Sequence, residues 1–313
     1  MSGFTDDALH VKPLTFMGVP HTFDLSQAKA AVLGVPFDCG THRYRIGSRQ
    51  GPQSIREQSV LVRRYHSDLA DFDPLERLAL VDRGNVDLTP SRILDAFERI
   101  EAAASRIHEA GVIPVTMGGD GSISVPLLRA AGRRYPGLVA VHIDAHTDSY
   151  PYDPNDKFTS ATQFTHAAEE QLVVASLSYH IGVRGTTYME GIYDYTRSLG
   201  YNVITMRELF ERGPKDVLAE LHERLKGRPV YLCFDMDVFD PSCAPGVATP
   251  SWGGFTSREG LDFLRGLSGL DIVAVDVNTV SPPHDIQGMT AHLAAYVIYE
   301  SLILLCRKLG VAG

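Results

Sequence analysis

The chain is poor in cysteine, tryptophan and positive charge, and the first and last of these shortages each remove a class of function. Four cysteines, Cys39, Cys233, Cys243 and Cys306, occur among 313 residues, and no two form a Cys-x-x-Cys pair. Zinc knuckles and thioredoxin-type redox chemistry need such pairs, so both are set aside. Cys233 lies in an apolar run and reads as a small core residue. Lys and Arg number 29 against 38 Asp and Glu, a net charge of -9. Nucleic acid and anionic membranes select basic surfaces, so neither is an expected partner. A cationic substrate would suit this balance, although a surplus of carboxylates is also the ordinary state of a soluble surface. Long apolar runs are lacking too. Segment 1–12 carries charges and no apolar stretch of the signal-peptide kind. The longest apolar segment, 294–306, is interrupted by Tyr296, Tyr299, Glu300 and Ser301, which reads as a buried helix and not a membrane span. A reduced, cytoplasmic setting is expected. No repeat, low-complexity tract or long Pro/Gly/Ser linker divides the chain, so one domain over 1–313 is expected, with 1–29 as an amino-terminal extension.

What the chain does have is regular alternation. Apolar runs predict strands at 30–35, 78–82, 112–117, 138–143, 173–181, 202–205, 230–234 and 272–277. Helical patterns fall between them at 53–65, 91–110, 124–135, 189–199, 206–211, 214–226 and 257–267, with a last helix at 289–309. Near-continuous Val/Ile/Leu strands alternating with helices imply a parallel sheet covered on both faces. The fold class is therefore α/β, a single doubly wound sheet. A closed barrel of strand–helix units is the alternative.

Two aspartate-rich strings stand out against this background. His-Ile-Asp-Ala-His-Thr-Asp holds Asp144, His146 and Asp148, and Phe-Asp-Met-Asp-Val-Phe-Asp-Pro holds Asp235, Asp237 and Asp240. Each follows a predicted strand, as does Gly118-Gly119-Asp120, and in such sheets functional groups collect at the carboxyl ends of strands. Strand alternation would point 144, 146 and 148, and again 235 and 237, to one face. Carboxylates converging there would repel one another unless a cation sat between them. Oxygen ligands mixed with one imidazole suit Mn²⁺, Ni²⁺, Fe²⁺ or Zn²⁺ better than Ca²⁺ or Mg²⁺. The plainer alternative, Asp residues that cap helices and make turns, would serve for a lone Asp-x-Asp. Two such strings at strand ends argue against it.

On these strings the chain resembles the ureohydrolase family of arginases and agmatinases, its agmatinase-like branch most closely. The resemblance runs over roughly 30–305. It is carried by GVPFDCGTHRYRIGSRQGPQSIR at 34–56, GGDGSIS at 118–124, HIDAHTD at 142–148, FDMDVFDPSCAPGVATPSWGG at 234–254 and DVNTVSPPHD at 276–285. It implies a parallel α/β sheet and hydrolysis of a guanidino carbon, with urea and an amine as usual products. It also implies Mn²⁺ or Ni²⁺ as cofactor, a small cationic guanidino compound as substrate, and a trimer or hexamer of this chain or of this chain with a related one. Residue by residue, it implies that Asp144 and Asp235 bridge two ions, that His146 and Asp237 complete the shell of one, and that Asp148 binds the other.

Three positions depart from the family pattern. Gly121 stands where the family has a ligand His, Ser160 where it has a proton-shuttling His, and Thr279, beside Asn278, where it has a Glu that anchors the guanidinium. The loss at Gly121 should weaken one ion by at least the ~10–100-fold that outer-shell changes cost, so one ion instead of two is the expectation. The loss at Ser160 removes a group typically worth about 10²–10⁴-fold in rate. Replacing the Glu leaves a buried cation unpaired, at a cost on the order of 3–5 kcal/mol. His142, His166, His180 and His284 are candidates to compensate, His284 foremost. Two functional readings follow: a metal-dependent hydrolase of the C–N bond of a guanidino or amidino compound, or a catalytically degenerate subunit that supports an active homologue. The family's two-chain examples, such as metformin hydrolase, give the second reading its form. The specificity loops are expected at 151–162 and 185–191.

Overall fold

The structure, a computed structural model, describes residues 13–39 and 44–312. The segment 1–12 and part of the 34–56 motif, residues 40–43, lie outside the described residues. All the predicted strands form. They are β1 (Ala30–Gly34), β2 (Val81–Asn85), β3 (Ile113–Met117), β4 (Val139–Ile143), β5 (Tyr179–Val183), β6 (Asn202–Thr205), β7 (Pro229–Asp235) and β8 (Asp271–Asn278). They pair in the order β2-β1-β3-β8-β7-β4-β5-β6 as one 8-stranded sheet, and every pairing is parallel. The sheet is open, with β2 and β6 at its edges, which excludes the barrel.

The alternation of side chains explains why both faces are covered. Val139, Val141 and Ile143, with Val230, Leu232 and Phe234, face one apolar layer. Ala140, Tyr231 and Cys233 face the other. The first layer is closed by the helix Met289–Lys308, whose Ala294, Ile298, Leu302 and Leu305 are fully buried. Burying one such aliphatic side chain contributes about 1.5–3 kcal/mol, and this burial accounts for the helix's apolarity without a bilayer. The second layer is closed by Ile93–Glu109 and Ser124–Arg134.

Two boundaries differ from the sequence expectation. The run at 78–82 is apolar because Leu78 and Leu80 fill the core, not because they pair as a strand. They follow a short helix, Pro74–Arg77, capped by Asp73, and β2 begins only after the left-handed Ala79. Likewise 173–181 divides into a 3₁₀ turn, Ala175–Leu177, and then β5. The helix α1 (Gly51–Ser59) is locked to β2 by Arg56, which grips Asp82 through two 2.8 Å hydrogen bonds inside the protein.

Candidate metal centre

The strands β3 and β4 are consecutive in sequence yet are separated in the sheet by β8 and β7. Their carboxyl ends therefore open a crevice where the strand order reverses, the usual place for a site in an open α/β sheet. Into it come Asp120 after β3, Asp144, His146 and Asp148 after β4, Asp235 and Asp237 at the end of β7, and Thr279 after β8. A cavity of about 190 Å³ is lined by His146, Asp148, Asp235, Asp237, Ser160 and Thr279 among others, and no Lys or Arg lines it among the described residues. The loops at 151–162 and 185–191 contribute Ser160 and Ala161, and Thr186 to Tyr188. A third segment, 248–251, lines it too and was not anticipated. Arg184 holds that segment against the 3₁₀ turn that follows β7, donating to Asp237 O at 2.8 Å and to Ser251 O at 2.8 Å.

The five expected ligand residues do converge, but not by strand alternation. The strand β4 ends at Ile143, and Asp237 lies in a 3₁₀ turn. The loops are folded by the aspartates themselves: Asp144 Oδ1 accepts from the His146 amide at 2.7 Å, and Asp235 Oδ1 from the Asp237 amide at 2.9 Å. Turn-making and convergence are thus one device, not rivals. Asp148 sits at φ 48, a left-handed backbone that brings its side chain back into the crevice. His146 Nδ1 lies 3.3 Å from Asp144 Oδ1 and 3.1 Å from Asp237 Oδ2. Donor atoms of Asp144, His146 and Asp237 lie within 4.8 Å of one another, as do those of His142, Asp144 and Asp148. Asp240, in contrast, holds the Gly253 amide at 2.8 Å outside the cavity.

Electrostatics make this crevice uncomfortable without a cation. Burial, and then repulsion from Asp144, pushes the Asp148 carboxyl well above the ordinary carboxylate range. The same causes raise Asp235, with Asp237 adding to the repulsion. Asp237 is pushed up to about 6 by burial and Asp144, against the pull of His146. Burial would raise Asp144 as well, but the His142 and His146 imidazoles hold it well below its ordinary value. Burial opposes a charge on His146, yet Asp237 and Asp144 outweigh it and raise its pKa well above the usual imidazole value. Asp144 Oδ2 and His142 Nε2 approach to 2.8 Å, a buried pair that ties the centre to the layer beneath. Carboxylate oxygens plus one imidazole, buried and mutually repelling, fit a divalent cation of the Mn²⁺ or Ni²⁺ kind.

The candidate substitutes scatter. His142 reaches the centre through Asp144 and pairs with His180, Nδ1 to Nδ1 at 2.8 Å, in the layer beneath. His166 is stacked between Tyr152 and Phe158, its Nε2 on the Lys157 carbonyl at 2.8 Å. His284 is held by Ser281 at 2.9 Å and does not line the cavity. Thr279, at φ 66, turns its hydroxyl to donate to Asp235 Oδ1 and presents no countercharge. Sequence reading missed Gln163. Its side chain is 1% exposed, fills the space beside Gly121 and donates through Nε2 to Asp148 Oδ2. The only signal for it was a polar residue at the inward start of a short helix, beside Phe164.

Comparison with known proteins supplies the context. The model of the arginase family matches residues 28–304. Guanidinopropionase of Pseudomonas aeruginosa is 39% identical over 295 residues, covering 94% of this chain and 92% of its own. Mitochondrial agmatinase of Gallus gallus is 36% identical over 276 residues, covering 88% of this chain and 81% of its own. The solved proclavaminate amidino hydrolase of Streptomyces clavuligerus superposes with a TM-score of 0.89 at 35% identity, over 95% of this chain and 98% of that one.

Proposed function

The chain belongs to the arginase family, and from that premise we propose that it hydrolyses the C–N bond of a small cationic guanidino compound, releasing urea or a related product and an amine. The observation that carries this reading is the crevice itself, where Asp144 and Asp237 flank one imidazole, His146, and Asp148 and Asp235 line the same cavity of about 190 Å³. Asp144, His146, Asp235 and Asp237 would hold one divalent ion, and Asp148 with the shared Asp144 and Asp235 would hold another. Such ions, when bound, supply Lewis acidity and water ionised near neutral pH. Mn²⁺ is the ion we favour, with Ni²⁺ next.

The chain's own residues then orient and select. Carboxylates on the cavity wall, with no Lys or Arg among the described residues lining it, attract a guanidinium and disfavour an anionic tail. Thr279 fixes the Asp235 carboxylate through its hydroxyl. Arg184 keeps the 251–252 backbone over the crevice. At the leaving amine the chain offers the hydroxyl residue Ser160 and no second imidazole among the described residues, so protonation there falls to solvent and turnover is slow. The same shortfall supports the second reading, a subunit that assists an active homologue in a mixed trimer or hexamer.

Expressing the chain alone, loading Mn²⁺ or Ni²⁺, and measuring urea release from guanidine, agmatine, 3-guanidinopropionate and 4-guanidinobutyrate tests the proposal. Slow turnover that disappears in Asp235→Asn is expected. No urea from any of the panel, with activity only after mixing with a homologue carrying the three missing residues, would replace this reading with the second.

A further inference from the structure

Gly121 has no donor atom, yet the space beside it is filled. The Gln163 side chain enters it from the start of its helix. A Cβ built on Gly121 would collide with the Gln163 amide nitrogen and would stand 3.1 Å from Asp148 Oδ2 and 3.2 Å from the Ser160 carbonyl oxygen. The tip of Gln163 therefore lies where the first atoms of a side chain at 121 would reach toward Asp148. Its two amide atoms are treated unequally. Nε2 donates to Asp148 Oδ2, while Oε1 is buried with no hydrogen-bond partner. An orphaned buried acceptor is costly, and the side chain that carries it lies against the buried Asp148 carboxyl. A buried acceptor with no donor, carried on a side chain that already touches Asp148, is placed to meet a cation.

We infer that Gln163 supplies, through Oε1, the ligand that position 121 lacks, so that the chain holds two divalent ions. The inference rests on the metal-dependent reading above and replaces the sequence expectation of a single ion. A half-turn about the last side-chain bond exchanges the amide oxygen for the nitrogen in nearly the same volume, since the two ends differ only in their hydrogens. Without a cation, the N–H end faces Asp148 and donates to its Oδ2. With a cation shared by Asp144, Asp148 and Asp235, the N–H end is repelled and the carbonyl end becomes a hard oxygen ligand. Side-chain amide carbonyls serve this role at oxygen-rich sites, and such shells suit Mn²⁺.

The test is manganese content per chain after desalting, together with low-temperature electron paramagnetic resonance, for the wild type, Gln163→Leu and the double variant Gly121→His/Gln163→Ala. The wild type should hold two ions with an exchange-coupled spectrum. Gln163→Leu should lose one ion and show the six-line signal of isolated Mn²⁺. The double variant makes room for an imidazole at 121 and should recover two coupled ions, which separates loss of a ligand from loss of the fold. One ion in the wild type, or two coupled ions in Gln163→Leu, would overturn the inference. Urea release is scored separately. Two coupled ions with no turnover on any guanidine would remove the proposed function and leave Gln163 as a ligand. Turnover on one ion would do the reverse.

Discussion

Thr279 shows how one residue can serve a site at the expense of the backbone. It is β-branched, buried and at φ 66, a region that costs an L-residue roughly 1–2 kcal/mol. Its return is the hydroxyl that donates to Asp235 Oδ1. Strain kept at a functional position in this way is a recognised pattern. Thr279→Gly should therefore leave the stability of the metal-free protein within about 1 kcal/mol of the wild type, because the strain relieved is offset by the greater freedom of an unfolded glycine and by the lost hydrogen bond to Asp235. The same change should weaken Mn²⁺ binding by about 10–100-fold, because a supporting contact to a ligand is removed. Calorimetric melting and a manganese titration check the two halves. Unchanged affinity would mean that the hydroxyl does not support Asp235.

At the scale of elements, the helix Gly51–Ser59 and the edge strand Val81–Asn85 are joined by a buried ion pair. Arg56 is 3% exposed and Asp82 is 0% exposed. Arg56 also donates to Asn85 Oδ1 at 2.6 Å, and Asp82 accepts from the Phe16 amide at 2.9 Å. Burial would raise the Asp82 carboxyl, and Arg56 overrides it and holds it below its ordinary value. Such a depressed carboxyl stabilises the fold above the unfolded value of about 3.9, and that contribution is lost as pH falls through the folded value. Removing one partner strands the other, so Arg56→Met should cost about 3–5 kcal/mol in a denaturation experiment at neutral pH. The loss should shrink on acidification, once Asp82 can take a proton. A cost below about 1 kcal/mol at neutral pH would show that the pair is replaceable by packing alone.

For the molecule as a whole, the candidate metal centre links stability to pH. The Asp237 carboxyl is raised to about 6 in the fold, against about 3.9 when unfolded. The native state therefore holds this proton more tightly than the unfolded state does. Its contribution is present below about 3.9 and is lost as pH rises through about 6. Chelator-treated protein should accordingly lose melting temperature between about pH 4 and pH 6 from this group, as Asp148 and Asp235 are pressed to ionise beside it. Metal-loaded protein should reverse the trend, because ligands bind once deprotonated and a bound ion stabilises the native state by mass action. Melting curves with and without chelator across this range should diverge as pH rises. Parallel curves would argue that no cation belongs in the crevice.

The eight strands, their parallel direction and the cover on both faces were legible in the chain, because side-chain periodicity is local and burial imposes it. The five converging residues Asp144, His146, Asp148, Asp235 and Asp237 were legible for a related reason, since each follows a strand and strand ends collect functional groups. The strand boundary at 78–82 was misread because burial without pairing leaves the same apolar mark as a strand. Only the tertiary structure decided what meets what. It placed β8 and β7 between β3 and β4, and it folded the loops that carry the candidate ligands through aspartate turns instead of alternation. It also filled the space at Gly121 with Gln163, 42 positions further along the chain. A missing side chain is visible in a sequence. The distant one that takes its place is fixed by packing between segments, which no local pattern encodes.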